Sequence, residues 1–490
     1  MSGARRAGLA LGALVLGTAL GLLLGFRGPA LGEARTGDAA LAADVSSSLA
    51  SDRGLDSLSA ARVRDGQVVF AGLGGVGGSG GRAPDPGTPY ELGSITKTFT
   101  ASLLAVAVER GEVALDDAVA TRLPELAGTA AGDSTFRQLA THTAGLPPFP
   151  TASTPLVLVQ VVGNANPYGS SVADLLSATR GTKVTERGTY RYSNLGVALL
   201  GHALARAASV PDWETLLRQR VLEPLGMRST VVTASVADVP GGTARPHREN
   251  GWRAPFWTGP AFAPAGSSTV TTAADLATWA RALLDGTAPG AAALDPMADI
   301  PGGQIGLLWH VREVAGRTIT WHNGATGGSR TMLALDRERG QAVLVLGSSA
   351  RDVDTAVLRL AATTPDAPVA AVDSPSVSWA GLAGWNALGL LLLGTAVLRW
   401  RTPDRWALVD GTVAAGTGLL LLLAHGPWSL LPTAVWGGLV LAVATLGLTG
   451  ALHRPRPDAD RPGRRAPSRA TSIASLVGTG AILAVVLWSL

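Results

Sequence analysis

Five apolar stretches, and the arginines that punctuate them, constrain this chain more than any other feature of its sequence. Residues 8–26 are apolar behind Arg5 and Arg6, the pattern of a signal peptide or signal anchor. Residues 379–398, 406–424, 430–452 and 473–490 each supply about 20 apolar residues, enough to cross a bilayer as a helix. Trp379, Trp400, Trp406, Trp428 and Trp488 stand at or near the ends of these stretches, where interfacial aromatics collect. Arg399, Arg401 and Arg405 follow the first of the four, and Arg454, Arg456, Arg461, Arg464, Arg465 and Arg469 separate the last two. The loop at 425–429 has no Lys or Arg. Positive loops stay cytoplasmic, so all of these signals agree if the long region between the N-terminal and C-terminal apolar segments faces outward. The expected organisation is a signal anchor or signal peptide over 1–27, a linker over 28–44 and an extracytoplasmic domain over 45–362. A linker over 363–378, with Pro365, Pro368 and Pro375, leads to four transmembrane helices over 379–490. Such a protein is multi-pass in the cell membrane, with the lipid bilayer as a partner. Asn386 and Asp410 are the notable polar residues in the spans; Asp410 lies one turn from a cytoplasmic end and reads as interfacial rather than as part of a proton path.

The chain of 490 residues has no cysteine, which excludes disulfides, thiolate metal sites and cysteine nucleophiles. It has no Walker loop and no paired-His motif, so neither cofactor nor metal is expected. Many of its basic residues cluster in the membrane-side loops, which topology explains without nucleic acid. Gly72, Gly74 and Gly77 match the spacing of a dinucleotide fingerprint, but that motif must open a helix. Here the chain runs into Pro84, Pro86 and Pro89, so a loop is expected.

Within the long region, segments 58–64 and 67–73 flank Asp65-Gly66 and predict a hairpin. Residues 94–110 predict a helix apolar around most of its circumference, hence buried, ending at Gly111. Further helices are expected over 172–178, 196–208, 213–221 and 273–284. Strands are expected over 305–311, 317–322, 331–335 and 342–346. A hairpin, then helices, then a run of antiparallel strands is the order of an α+β fold.

Ser94 and Lys97 are three residues apart and share a helix face. A serine hydroxyl needs a neighbouring proton acceptor to become a nucleophile, and the helix start adds backbone N–H groups that favour an oxyanion. Arg is too basic for that acceptor role. The point carries weight here, because Lys97 and Lys183 are the only lysines among 40 basic residues. Tyr192 and Asn194 precede the helix expected at 196, and His322, Gly324 and Ala325 close a strand. A tyrosine near an ammonium has a lowered pKa and serves as acid or base. Asn194 is placed to donate to a substrate carbonyl. His322 and Gly324 share a strand face, with Gly324 leaving room for a substrate backbone and Ala325 offering an oxyanion N–H beside that of Ser94. His142 reads as a turn residue rather than a catalytic one.

Taken together, Ser94-x-x-Lys97, Tyr192-x-Asn194 and His322-x-Gly324 resemble the three motifs of class C β-lactamases and their D,D-peptidase and esterase relatives. The segment Leu139-Ala140-Thr141-His142-Thr143-Ala144-Gly145-Leu146-Pro147 is similar to a family signature, as are Glu223-Pro224-Leu225-Gly226-Met227, Pro264-Ala265-Gly266 and Ala273-Ala274-Asp275-Leu276. The resemblance covers roughly residues 55–360 and not the C-terminal spans. It implies an antiparallel sheet covered by helices beside an all-helical part, with the cleft between them. It also implies an acyl-serine hydrolase acting on a small-molecule or peptide substrate: D-alanyl peptides of the cell-wall kind, β-lactams or small esters. Ser94, Lys97 and Tyr192 would do the chemistry, and Asn194, His322, Gly324 and Ala325 would hold substrate. Two departures stand out. His322 occupies the place of the lysine usual in class C β-lactamases, and Ser267 replaces a second glycine after Gly266. The alternative expectation is a catalytically idle ligand-binding sensor of the same fold, signalling through the membrane helices.

Overall fold

The computed structural model describes residues 30–49, 51–77, 80–153, 165–249, 251, 253–363 and 379–400, with 411, 413–415, 417, 418 and 422. It divides into two compact units, one comprising Pro29–Val161 and Ala165–Ser374, the other carrying the helix Trp379–Trp400.

The first unit is built on a nine-stranded antiparallel sheet. Its strands are β1 (Arg35–Gly37), β2 (Ser57–Arg64), β3 (Gln67–Gly74), β7 (Ala298–Ile300), β8 (Gly303–Ile305), β9 (His310–Val314), β10 (Arg317–Ala325), β11 (Arg330–Asp336) and β12 (Gln341–Gly347), in the order β1-β3-β2-β12-β11-β10-β9-β8-β7. A second, three-stranded sheet pairs β4 (Pro89–Glu91) and β5 (Val231–Val232) with β6 (Thr269–Thr272). The expected hairpin forms with Arg64 opposite Gln67, and its two turn residues both have positive φ, 50° at Asp65 and 72° at Gly66. That is the twist an Asp-Gly turn supplies.

Alternation along the central strands decides the packing. Leu333, Leu335, Ala342, Leu344 and Leu346 face one core, whereas Met332, Ala334, Val343 and Val345 face the other. Both faces of these strands are thus covered, so β12 reads as an apolar run rather than an alternating one. Helix α1 (Ala39–Ser48) and helix α9 (Asp354–Ala362) cover the second face, through Leu41, Val45, Val357 and Leu360. On the first face lie α2 (Thr96–Glu109), α3 (Phe136–Ala140), α4 (Val172–Thr179), α5 (Asn194–Ala207), α6 (Trp213–Leu217), α7 (Glu223–Leu225) and α8 (Ala273–Leu284). Several of these starts are capped by side chains that accept orphan amide protons, among them Thr135 from Gln138 N before α3, Ser193 from Gly196 N before α5 and Thr272 from Asp275 N before α8.

Two expectations change. The stretch expected as a linker over 28–44 contains β1 and the first half of α1, because Leu41, Ala42 and Val45 are apolar residues that fill the second core. The single strand expected over 305–311 is a hairpin of β8 and β9, interrupted by Leu307, Leu308 and Trp309. Those three are apolar because they plug the helical core; Leu308 takes φ 61° and its N–H donates to Ala140 O at 2.8 Å.

In the second unit, α10 (Trp379–Trp400) spans 22 residues. A Cβ added at Gly389 would lie 2.6 Å from Leu422 Cγ, so the two segments approach closely there. Among the described residues, no helix is long and apolar enough to cross a membrane. The apolar stretches at 8–26, 430–452 and 473–490, and most of 406–424, lie outside the described residues.

Candidate active site

The site begins where β4 ends. Gly93–Ile95 makes a turn of 3-10 helix that runs directly into α2. Gly93 has φ 62°, and a Cβ there would lie 2.6 Å from Ala325 N, so only glycine admits both the turn and the contact. This brings the backbone of the Ser94 turn against the end of β10. Ser94 and Ala325 both line a cleft of about 480 Å³.

The predicted helix is buried as its composition required: Thr96 to Leu104 are all inaccessible, with Phe99 and Trp279 ring centroids 5.2 Å apart. Lys97, one turn along, is 0 % exposed. Its Nζ lies 2.8 Å from Ser94 Oγ and donates to Ala265 O at 2.6 Å. No carboxylate pairs with it among the described residues, and burial pushes its pKa well below the ordinary amine value. A buried amine without an anion is stable as the neutral base. The pair therefore meets the requirement for an activated serine: hydroxyl and proton acceptor in hydrogen-bond contact, with the hydroxyl facing a cleft.

Tyr192 closes the other side of the pair. Its ring centroid is 4.9 Å from Lys97 Nζ, and its hydroxyl is a hydrogen-bonding neighbour of Ser94. The expected lowering of its pKa is corrected: burial, reinforced by the neighbouring Tyr168 and Tyr190, raises it. Tyr192 is held by the segment around His142. His142 has φ 56°, its carbonyl accepts from Arg191 N at 2.7 Å, and its Nδ1 accepts from Ser193 N at 3.3 Å. Its ring packs on Tyr192 with centroids 4.5 Å apart. The turn-residue expectation for His142 is met, and the turn positions Tyr192.

The remaining expected residues divide. Asn194 lines the cleft, but its Nδ2 donates to Tyr168 Oη at 3.0 Å while its Oδ1 is buried without a partner. Ala325 and Asn323 line the cleft, whereas His322 is 0 % exposed. Strand alternation turns His322 inward, where its Nδ1 donates to Asn323 O at 2.7 Å and its ring lies 5.3 Å from His310. Burial pushes its pKa well down, so a substrate-facing or charged His322 is corrected to a buried neutral one. The expectation for Gly324 is corrected as well. A Cβ there would lie 2.1 Å from Leu92 O and from Thr331 Oγ1, so the space it leaves is taken by the chain entering the Ser94 turn, not by substrate. Ser267 lines the cleft with its hydroxyl unpartnered.

Sequence reasoning missed the aromatic walls: Tyr168, Tyr190, Trp257 and Trp321 all line the cleft. Tyr168 packs on Trp257 with centroids 4.9 Å apart, and His310 stacks on Trp321 at 4.8 Å while its Nε2 meets Tyr190 Oη at 2.9 Å. Their spacing follows no motif, since they come from separate loops and strands. Among the described residues, no group of His, Asp and Glu is arranged to hold a metal ion.

Fold and site together define a class: an α+β domain in which Ser94 and Tyr192 line a cleft beside a strand end, with Lys97 buried behind the serine. Residues 38–365 match the family model described as Beta-lactamase, and the chain belongs to that family. A beta-lactamase of Providencia stuartii is 34% identical over 148 residues, covering 30% of this chain and 34% of the relative. The corresponding enzyme of Escherichia coli K12 is 33% identical over 153 residues, covering 31% of this chain and 37% of the relative. The chain thus matches about a third of the length of these curated relatives. The class C beta-lactamase from Rhodobacter sphaeroides superposes with a TM-score of 0.55 at 23% identity, covering 66% of this chain and 97% of that one. The octameric penicillin-binding protein homologue from Pyrococcus abyssi gives 0.57 at 21%, covering 66% and 77%. These structures share the fold.

Proposed function

We propose that the 29–374 unit is an acyl-serine hydrolase and that Ser94 carries the acyl group. The observation that carries this reading is the 2.8 Å contact between Ser94 Oγ and a fully buried Lys97 amine with its pKa depressed. Neutral Lys97 takes the Ser94 proton as Oγ attacks the substrate carbonyl carbon. The N–H groups of Ser94 and Ala325 receive the developing oxyanion. The protonated Tyr192 phenol relays a proton to the leaving group as its bond to the acyl carbon breaks, and water then releases the acyl group from Ser94. Candidate substrates are D-alanyl peptides, β-lactams and small esters.

The arginine-flanked apolar stretches support a second part of the proposal: the domain faces outward from a membrane that the C-terminal segments anchor. The hydrolase reading is tested by labelling the full chain with a fluorescent fluorophosphonate. Wild type should label and Ser94→Ala should not; equal labelling would overturn it. The orientation is tested by protease access to the domain in intact cells.

A further inference from the structure

The cleft walls carry chemistry that bears on which of those substrates the site accepts. D-alanyl peptides and bicyclic β-lactams present a carboxylate near the bond to be cleaved, whereas simple esters need not. A buried carboxylate requires a cation or several donors, because an unpaired charge out of water is costly. No Lys or Arg lines this cleft among the described residues. Lys97 lies behind Ser94, fully buried and engaged by Ser94 Oγ and Ala265 O. Among the described residues, His310 is the one titratable cation former on the wall, and burial holds its pKa at about 4. His322, where a permanent cation would have served, points inward and is kept neutral.

The strand side of the cleft goes further. Asn323, which lines it, donates through Nδ2 to Asp354 Oδ2 at the start of α9. The other oxygen of Asp354 is buried and unpartnered, Asp352 lies beside it, and Arg330 is near enough to act on Asp354. The amide that would greet a substrate carboxylate is therefore already committed to an acid. The opposite walls are aromatic, formed by Tyr168, Tyr190, Trp257 and Trp321, which favour apolar groups over charged ones.

Resting on the acyl-serine reading, we propose that this cleft selects uncharged acyl substrates, neutral esters or amides with apolar or aromatic groups, and discriminates against those bearing a carboxylate. The experiment compares two isosteric 4-nitrophenyl esters of suberic acid, one ending in a free carboxylate and the other in a primary carboxamide, with the full chain in detergent at neutral pH. The carboxamide should show a kcat/KM at least about tenfold higher, the scale expected when one partner leaves a charge unpaired. Asp354→Asn should narrow that ratio by improving the acid. Equal or faster turnover of the acid would overturn the proposal while leaving the hydrolase reading intact. Fluorophosphonate labelling of Ser94 without turnover of either ester would also count against this proposal alone. Loss of both labelling and turnover would overturn the hydrolase reading and this one with it.

Discussion

Glu91 Oε2 accepts hydrogen bonds from the Thr326 hydroxyl at 2.7 Å and the Ser329 hydroxyl at 3.2 Å, tying the strand ahead of the nucleophile to the turn after Ala325. Its Oε1 accepts from Trp257 N at 2.6 Å, so one buried carboxylate joins three segments that frame the cleft. Burial lifts its pKa from 4.5 to about 7 despite those donors. A carboxyl whose folded pKa is raised holds its proton longer in the folded chain than in the unfolded one. Stability therefore falls as pH rises from 4.5 to about 7 and levels beyond. Glu91→Gln does not titrate and should remove this slope. Melting temperature measured across that pH window checks it, and an unaltered slope in the variant would refute the assignment.

Lys97→Arg should cost kcat by about 10²- to 10⁴-fold, the range for loss of a general base, because a guanidinium stays protonated where the amine does not. In wild type, the depressed Lys97 pKa predicts acylation already active at neutral pH, declining only as acidification protonates the amine. Acylation rates across pH for both proteins decide this; comparable rates would remove Lys97 from the base role.

Tyr192→Phe keeps the ring that packs on His142 and faces Lys97 but deletes the hydroxyl beside Ser94. Turnover should fall by about 10²-fold as the proton relay is lost. Thermal stability should change little, by about 1 kcal/mol or less, since one hydrogen bond is removed. A large stability loss with normal turnover would make Tyr192 a structural residue only.

Gly93→Ala forces a left-handed φ of 62° on alanine and drives its Cβ to 2.6 Å from Ala325 N. The strain alone is worth about 1–3 kcal/mol, and relief would separate Ser94 from Ala325. Reduced melting temperature together with slower fluorophosphonate labelling is expected. Unchanged labelling would mean that the two backbones need not meet.

How much of this was legible in the sequence depends on the distance over which each feature is specified. The Asp65-Gly66 hairpin and α8 were readable because turn chemistry and periodicity act within a few residues. The strand expected over 305–311 was misread because Leu307, Leu308 and Trp309 are apolar for a tertiary reason. Helix α1 was overlooked because its small residues resemble a linker, and only the sheet face it covers explains Leu41 and Val45.

The sequence alone determined that Ser94 and Lys97 share a helical face, that Tyr192 and the 322–325 strand accompany them, and that arginine-flanked apolar stretches follow. It did not determine protonation or direction. Burial, created by residues far apart in the chain, lowers the Lys97 pKa, raises that of Tyr192 and leaves His322 wholly inaccessible. Desolvation and side-chain facing are properties of packed surfaces, and those exist only once β10, α2 and the aromatic walls have come together.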